Sequence, residues 1–304
     1  MSEKPSVHRA AAEGFSSGAE TYVRGRPDYP PQALDWLRDT LGLGPGKTVV
    51  DLGAGTGKFT KVLLATGADV IAVDPVMPML DRLRRYTQER PRSPGGSEPR
   101  HVESVSGVEA VVGAERALPA ARRLRALAAT AENIPIASGA VDAVVCAQSF
   151  HWFATPAAVA EIHRILKAGG AFGLIWNQRD ESTRWVAELG KIFARYQGDA
   201  PRMATGAWRK LFPAPGFSPL NEVCFPHAHV GPPEHVIVDR ALSVSYMAAL
   251  PAVERERVAA EVRRLIDATP SLAGHTEVSV PYVTMAFHCF AVNMAAACPP
   301  HGEE

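Results

Sequence analysis

Apolar positions along the chain follow two rhythms. Short, mostly apolar runs at Thr48–Val50, Val70–Val73, Leu124–Ala129, Val141–Ala147 and Ala171–Trp176 predict strands. Between them the apolar residues recur at helical spacing. Phe59, Val62 and Leu63 mark Lys58–Thr66, and Met79, Leu80 and Leu83 mark Met77–Tyr86. Val159, Ile162, Ile165 and Leu166 follow the cap Thr155-Pro156, and Gly169 is placed to end that helix. A lead-in helix over Pro31–Leu41 precedes the first strand, with Leu34, Leu37 and Leu41 on one side. Beyond the fifth strand, Trp185, Leu189, Ile192, Phe193 and Tyr196 form one amphipathic face and Val258, Val262, Leu265 and Ile266 another, each expected to be core. Val223–Val230 and Val278–Phe290 predict a sixth and a seventh strand.

The densest signal lies in Thr48–Asp74. A strand is followed by Asp51, then Gly53, Gly55 and Gly57, a helix, a second strand and the acid Asp74. Strand, glycine turn, helix, strand, acid is the plan of a βαβ nucleotide site. Glycine lets the backbone approach a ligand, and the helix N-terminus offers free N–H groups. A carboxylate at the tip of the second strand can accept both hydroxyls of a ribose. Two phosphate readings fail on spacing. A dinucleotide turn needs its third glycine at position 58, which is Lys58, and a Walker loop needs Ser or Thr where Phe59 stands.

The remaining pattern, D-x-G-x-G-x-G with an acid beyond, resembles motifs I and II of class I S-adenosylmethionine-dependent methyltransferases. Thr130-Ala131-Glu132-Asn133-Ile134-Pro135 resembles the family's turn after the third strand. Lys167-Ala168-Gly169-Gly170 resembles its L-K-P-G-G, with Ala168 in place of proline. Tyr22, Arg26, Pro27, Tyr29 and Pro30 keep the spacing of an entry segment seen in trans-aconitate methyltransferase-like proteins. The resemblance spans residues 15 to 292 and is tightest over 48–178. It implies an α/β fold: a Rossmann-like, seven-stranded, mostly parallel sheet with helices on both faces and an antiparallel last strand. It also implies S-adenosylmethionine as cofactor, held by Asp51, Gly53, Ala54, Gly55, Gly57, Asp74, Pro75, Ala131, Glu132 and Gln148. Tyr22, Arg26, His151, Trp152 and Asn177 would line the substrate side. A single domain is expected, with a lid and lead-in at 15–47, a core at 48–178, a helical cap with the last two strands at 179–292, and a tail. Residues 88–115 interrupt the pattern and read as an inserted loop or a gene-model artefact.

Composition narrows the partners. Lys plus Arg and Asp plus Glu are equal at 32 each, so no net field draws nucleic acid or anionic lipid. No apolar run spans a bilayer, and four scattered cysteines form no C-x-x-C pair, so a reducing cytoplasm and no metal are expected. Methyl transfer from a sulfonium needs alignment more than acid–base machinery. A carboxylate acceptor needs no base; a hydroxyl or amine does, and His151 is the candidate, the alternative being an idle pocket-wall histidine. Trp152 is expected in the wall. The place after the fourth strand reads Ala147-Gln148-Ser149-Phe150, which lacks the Pro-Pro-aromatic signature of nucleic-acid and protein amino-methylating enzymes. The resemblance to the trans-aconitate-type branch implies a small-molecule acceptor, a carboxylate or hydroxyl. Two competitors stay open: a silent cofactor-binding protein and, against the glycine spacing, an NAD(P) dehydrogenase.

Overall fold

The computed structural model describes residues 25–88 and 124–292. Tyr22, most of the 88–115 segment and the tail lie outside the described residues. Seven strands are present among the described residues: β1 (Thr48–Leu52), β2 (Asp69–Val73), β3 (Leu124–Leu127), β4 (Val141–Ala147), β5 (Leu166–Arg179), β6 (Asn221–Gly231) and β7 (Val278–Phe290). They form one sheet in the order β3-β2-β1-β4-β5-β7-β6. β1 to β5 pair in parallel, and β7 inserts between β5 and β6, antiparallel to both. The expected Rossmann-like sheet is therefore present, its reversed strand one place in from the edge.

Period-two alternation divides the parallel strands between two cores. Val50, Leu52, Ile71, Val73, Val144 and Cys146 face one side, and Val49, Val70, Ala143, Val145 and Ile175 the other. On the first side lies α4 (Pro156–Ile165), capped by Thr155, whose Oγ1 accepts from Ala158 N. On the second lie α1 (Pro31–Asp35), which runs on into a π-helical turn at Trp36–Thr40, and α2 (Lys58–Ala65). The third helix, α3 (Met77–Gln88), packs Leu80 and Leu83 under β2 and β3.

The end of the fourth helix and the start of β5, Leu166 instead of Ala171, differ from the pattern. The fourth helix stops at Ile165, not Gly169, because Leu166 already pairs with Val141 in the sheet. Gly169 instead takes φ 74° in the exposed first part of β5. A separate cluster gathers α5 (Arg184–Ala194), α6 (Arg240–Leu242), α7 (Ser245–Ala248) and α8 (Ala252–Asp267) around Val278, Val280 and Tyr282 of β7. Leu189, Ile192, Phe193, Val258, Val262 and Ile266 are buried there, as their spacing predicted. This cluster stands beyond the carboxyl ends of the parallel strands and closes one side of the cavity described next.

Candidate active site

Every parallel strand that carries a predicted site residue delivers it at its carboxyl end. Asp51 is in β1, Asp74 follows β2, Gln148 follows β4 and Asn177 is in β5. This is the side on which open α/β sheets bind ligands. These residues line a cavity of about 710 Å³, within the span of about 300–1,000 Å³ usual for ligand sites. Gly53, Ala54, Gly55, Pro75, Ala131, Glu132, Arg26, His151 and Trp152 also line it; Gly57 does not.

The three glycines serve different ends. Gly53 (φ 74°) and Gly57 (φ 85°) are packing glycines: a Cβ would come within 2.5 Å of Ser149 Cβ at the first and 2.8 Å of Leu83 Cγ at the second. Gly55 (φ 54°) has nothing within 4 Å of its missing Cβ, so its open face is the one that adjoins the cavity. Asp74 holds this turn. Its Oδ2 accepts from Gly55 N at 2.9 Å and its Oδ1 from Val76 N at 2.9 Å. Gly55 N, in the turn before the helix, is thus already bonded, and each Asp74 oxygen keeps only its remaining lone pair for a ligand. Burial raises the Asp74 carboxyl against those bonds.

Asp51 is fully buried. Its Oδ2 accepts from Thr60 Oγ1 at 2.6 Å, whereas Oδ1 has no partner. Burial, partly offset by the Thr60 bond and reinforced by Asp74, pushes this carboxyl up to about 7. A buried acid without a full complement of bonds, facing a cavity, marks a place built for a ligand. Gln148 adds a second such sign, a non-glycine residue at φ 57°.

His151 sits in a 3-10 turn over Phe150–Trp152. Trp176 Nε1 donates to its Nδ1 at 3.1 Å. Indole is only a donor, so the neutral ring carries its proton on Nε2. Burial, aided by the Arg26 charge, lowers its pKa to about 3. A general base needs a free ring lone pair, and the one on Nδ1 is spent on Trp176; the geometry gives this ring a donor's role.

Asn177 lines the cavity, but both ends of its amide are committed. Nδ2 donates to Asp28 O at 2.8 Å, and Oδ1 accepts from Thr284 Oγ1 at 2.7 Å. His227 Nε2 donates to the same Asp28 carbonyl at 2.7 Å. Lys58 Nζ donates to Arg26 O and pairs with the Asp28 carboxylate at 3.1 Å. The lead-in residues 26–28 are thereby fastened beside the cavity, which Arg26 and Pro27 line, and Tyr29 packs edge-on against Phe59 at 4.7 Å. Arg26 Nη2 donates to Ser243 O at 3.1 Å.

The sequence profile of a family described as "Methyltransferase domain" matches residues 50–174. An uncharacterized methyltransferase from Mycobacterium tuberculosis is 37% identical over 271 residues, covering 89% of this chain and 93% of the relative. The chain belongs to the class I S-adenosylmethionine-dependent methyltransferases. An uncharacterized methyltransferase-like protein from Schizosaccharomyces pombe is 33% identical over 276 residues, covering 90% of this chain and 93% of that one. A solved structure from Anaeromyxobacter dehalogenans, provisionally described as a type II methyltransferase, shares the fold at TM-score 0.55 and 21% identity, covering 88% of this chain and 97% of that chain. The trans-aconitate-like branch remains a resemblance of the entry segment. Among the described residues no group of three or more His, Cys, Asp or Glu gathers as metal ligands, and no helix of this methyltransferase is long and apolar enough to cross a membrane.

Pattern reading missed part of the methyltransferase's cavity wall. Arg179, Arg202, Arg240, Tyr246 and Tyr282 line it from β5, the loop after α5, the α6–α7 region and β7. Only Arg179 had a signal: it directly follows Gln178 at the predicted end of the fifth strand.

Proposed function

We propose that this protein binds S-adenosylmethionine at the β1–β2 end of the cavity and transfers its methyl group to a small-molecule acceptor by in-line displacement. The observation that supports this most is the buried, unpartnered Oδ1 of Asp51 beside the open face of Gly55. These residues fit a ligand that presents a cation and ribose hydroxyls. Asp51 is suited to an ammonium, Asp74 to the hydroxyls through its remaining lone pairs, and Ala131 and Glu132 to the adenine edge. When bound, the cofactor supplies an electrophilic methyl on a sulfonium.

The residues of this chain then align and exclude water. Arg26–Asp28, held by Lys58, Asn177 and His227, stand beside the cavity. Trp152 and Trp176 wall the centre. His151 donates from Nε2 to an acceptor oxygen and takes no proton, which suits an acceptor already ionised at neutral pH. Calorimetry with S-adenosylhomocysteine tests binding, and incubation with labelled cofactor and a metabolite extract, read by mass spectrometry, tests turnover. Binding without any labelled product would leave the silent cofactor-binding reading in its place.

A further inference from the structure

The cavity is polarised. Its β1–β3 end carries Asp51, Asp74 and Glu132; the opposite end carries Arg179, Arg202 and Arg240, with Arg26 at the boundary. All four guanidiniums line the cavity together with Tyr246; burial raises that phenol and their charges oppose the rise. The acidic counterpart at this end, among the lining residues described, is Glu181, 3.5 Å from Arg179 and half-exposed. Nε of Arg179, Nε of Arg202, and Nε and Nη1 of Arg240 are buried without a hydrogen-bond partner. So is the hydroxyl of Tyr282, a residue only 3% exposed. Buried donors left unsatisfied are costly, and arginines crowded together repel one another. The arrangement becomes favourable when an anion with several acceptor oxygens enters, because guanidinium forks match carboxylate and phosphate geometry.

We infer that this arginine end binds the methyl acceptor through a doubly charged oxyanion: paired carboxylates or a phosphate monoester. The inference rests on the proposed methyltransferase reading and adds the acceptor's class to it. Arg179, Arg202 and Arg240 come from outside residues 50–174, the stretch shared with the wider family, so they set specificity and leave cofactor binding alone.

The test is calorimetry on the full chain, with and without saturating S-adenosylhomocysteine, against citrate, glycerol phosphate, acetate and glycerol. Citrate or glycerol phosphate should bind at least roughly tenfold more tightly than acetate, with glycerol silent. Which of the two binds separates the carboxylate source from the phosphate source. Arg179→Gln and Arg240→Gln should each weaken that anion by roughly tenfold while S-adenosylhomocysteine affinity stays within about twofold. Equal binding of acetate and the multiply charged anions, or silence of both in the wild-type protein, overturns the inference without any variant having to fold. Loss of S-adenosylhomocysteine affinity in Arg240→Gln would also overturn it, assigning the cluster to the cofactor's own carboxylate. Failure of S-adenosylhomocysteine to bind the wild-type protein would instead strike the methyltransferase reading, and the anion titration of the free protein would still stand as a separate result.

Discussion

If Asp51 holds the cofactor's ammonium as proposed, binding should be sensitive to pH in the neutral range. Its carboxyl lies near 7 because burial penalises the charge more than the single bond from Thr60 favours it. About one-tenth of the free protein is then ionised at pH 6 and about nine-tenths at pH 8. A cationic ammonium prefers the ionised form, so affinity for S-adenosylmethionine should be roughly tenfold weaker at pH 6 than at pH 8. Close to one proton should leave on binding at pH 6, seen as a binding enthalpy that changes with the buffer's ionisation enthalpy. The same carboxyl affects folding with the opposite preference. A raised folded pKa means that stability is present at low pH and is lost as pH rises from about 4 through about 7. Moving a carboxyl from 3.8 to about 7 corresponds to a penalty on the order of 4 kcal/mol on the ionised form at pH 8. Asp51→Asn keeps an acceptor for Thr60 and removes the titration. It should bind cofactor weakly at both pH values, and the difference between wild-type and variant stability should shift in the variant's favour from pH 4 to pH 8. Wild-type affinity that is flat between pH 6 and pH 8, or a variant that retains wild-type affinity, would refute the assignment of Asp51.

Four further outcomes follow from the geometry. Gly55→Ala places a methyl in open space at φ 54°, so thermal unfolding should show a loss of only about 1–2 kcal/mol while S-adenosylhomocysteine affinity falls sharply. Gly53→Ala meets Ser149 at 2.5 Å, so the same pair of measurements should show stability and affinity lost together. Asp74→Ala removes the partner of Gly55 N and Val76 N, and its affinity for S-adenosylhomocysteine by calorimetry should fall at least roughly tenfold; an unchanged value would refute the ribose assignment. With a pKa near 3, His151 should contribute no limb to kcat between pH 5 and pH 8 once an acceptor is found, and a limb near 6.5 that vanishes in His151→Ala would restore the base role.

Local sequence carried the core of this protein. The strand-turn-helix-strand of residues 48–74 is encoded by near neighbours, because apolar period and glycine placement act over a few residues at a time. The strand tips follow from it, since a parallel sheet delivers its carboxyl ends to one side, and Asp51, Asp74, Gln148 and Asn177 arrive there together. What their side chains do there is not local. Asn177 is spent on Asp28 and Thr284, the latter 107 positions away, and His151 owes its proton position to Trp176, 25 residues on. The arginine end is the extreme case. Arg26, Arg179, Arg202 and Arg240 carry no shared spacing; they come from the lead-in, β5, the loop after α5 and α6, and only the tertiary fold lets all four charges act on one tyrosine. Chain order determined where a cofactor could sit; the long-range contacts of the folded chain decided the electrostatics of what sits beside it, because field and desolvation depend on distance in space and not on distance in sequence.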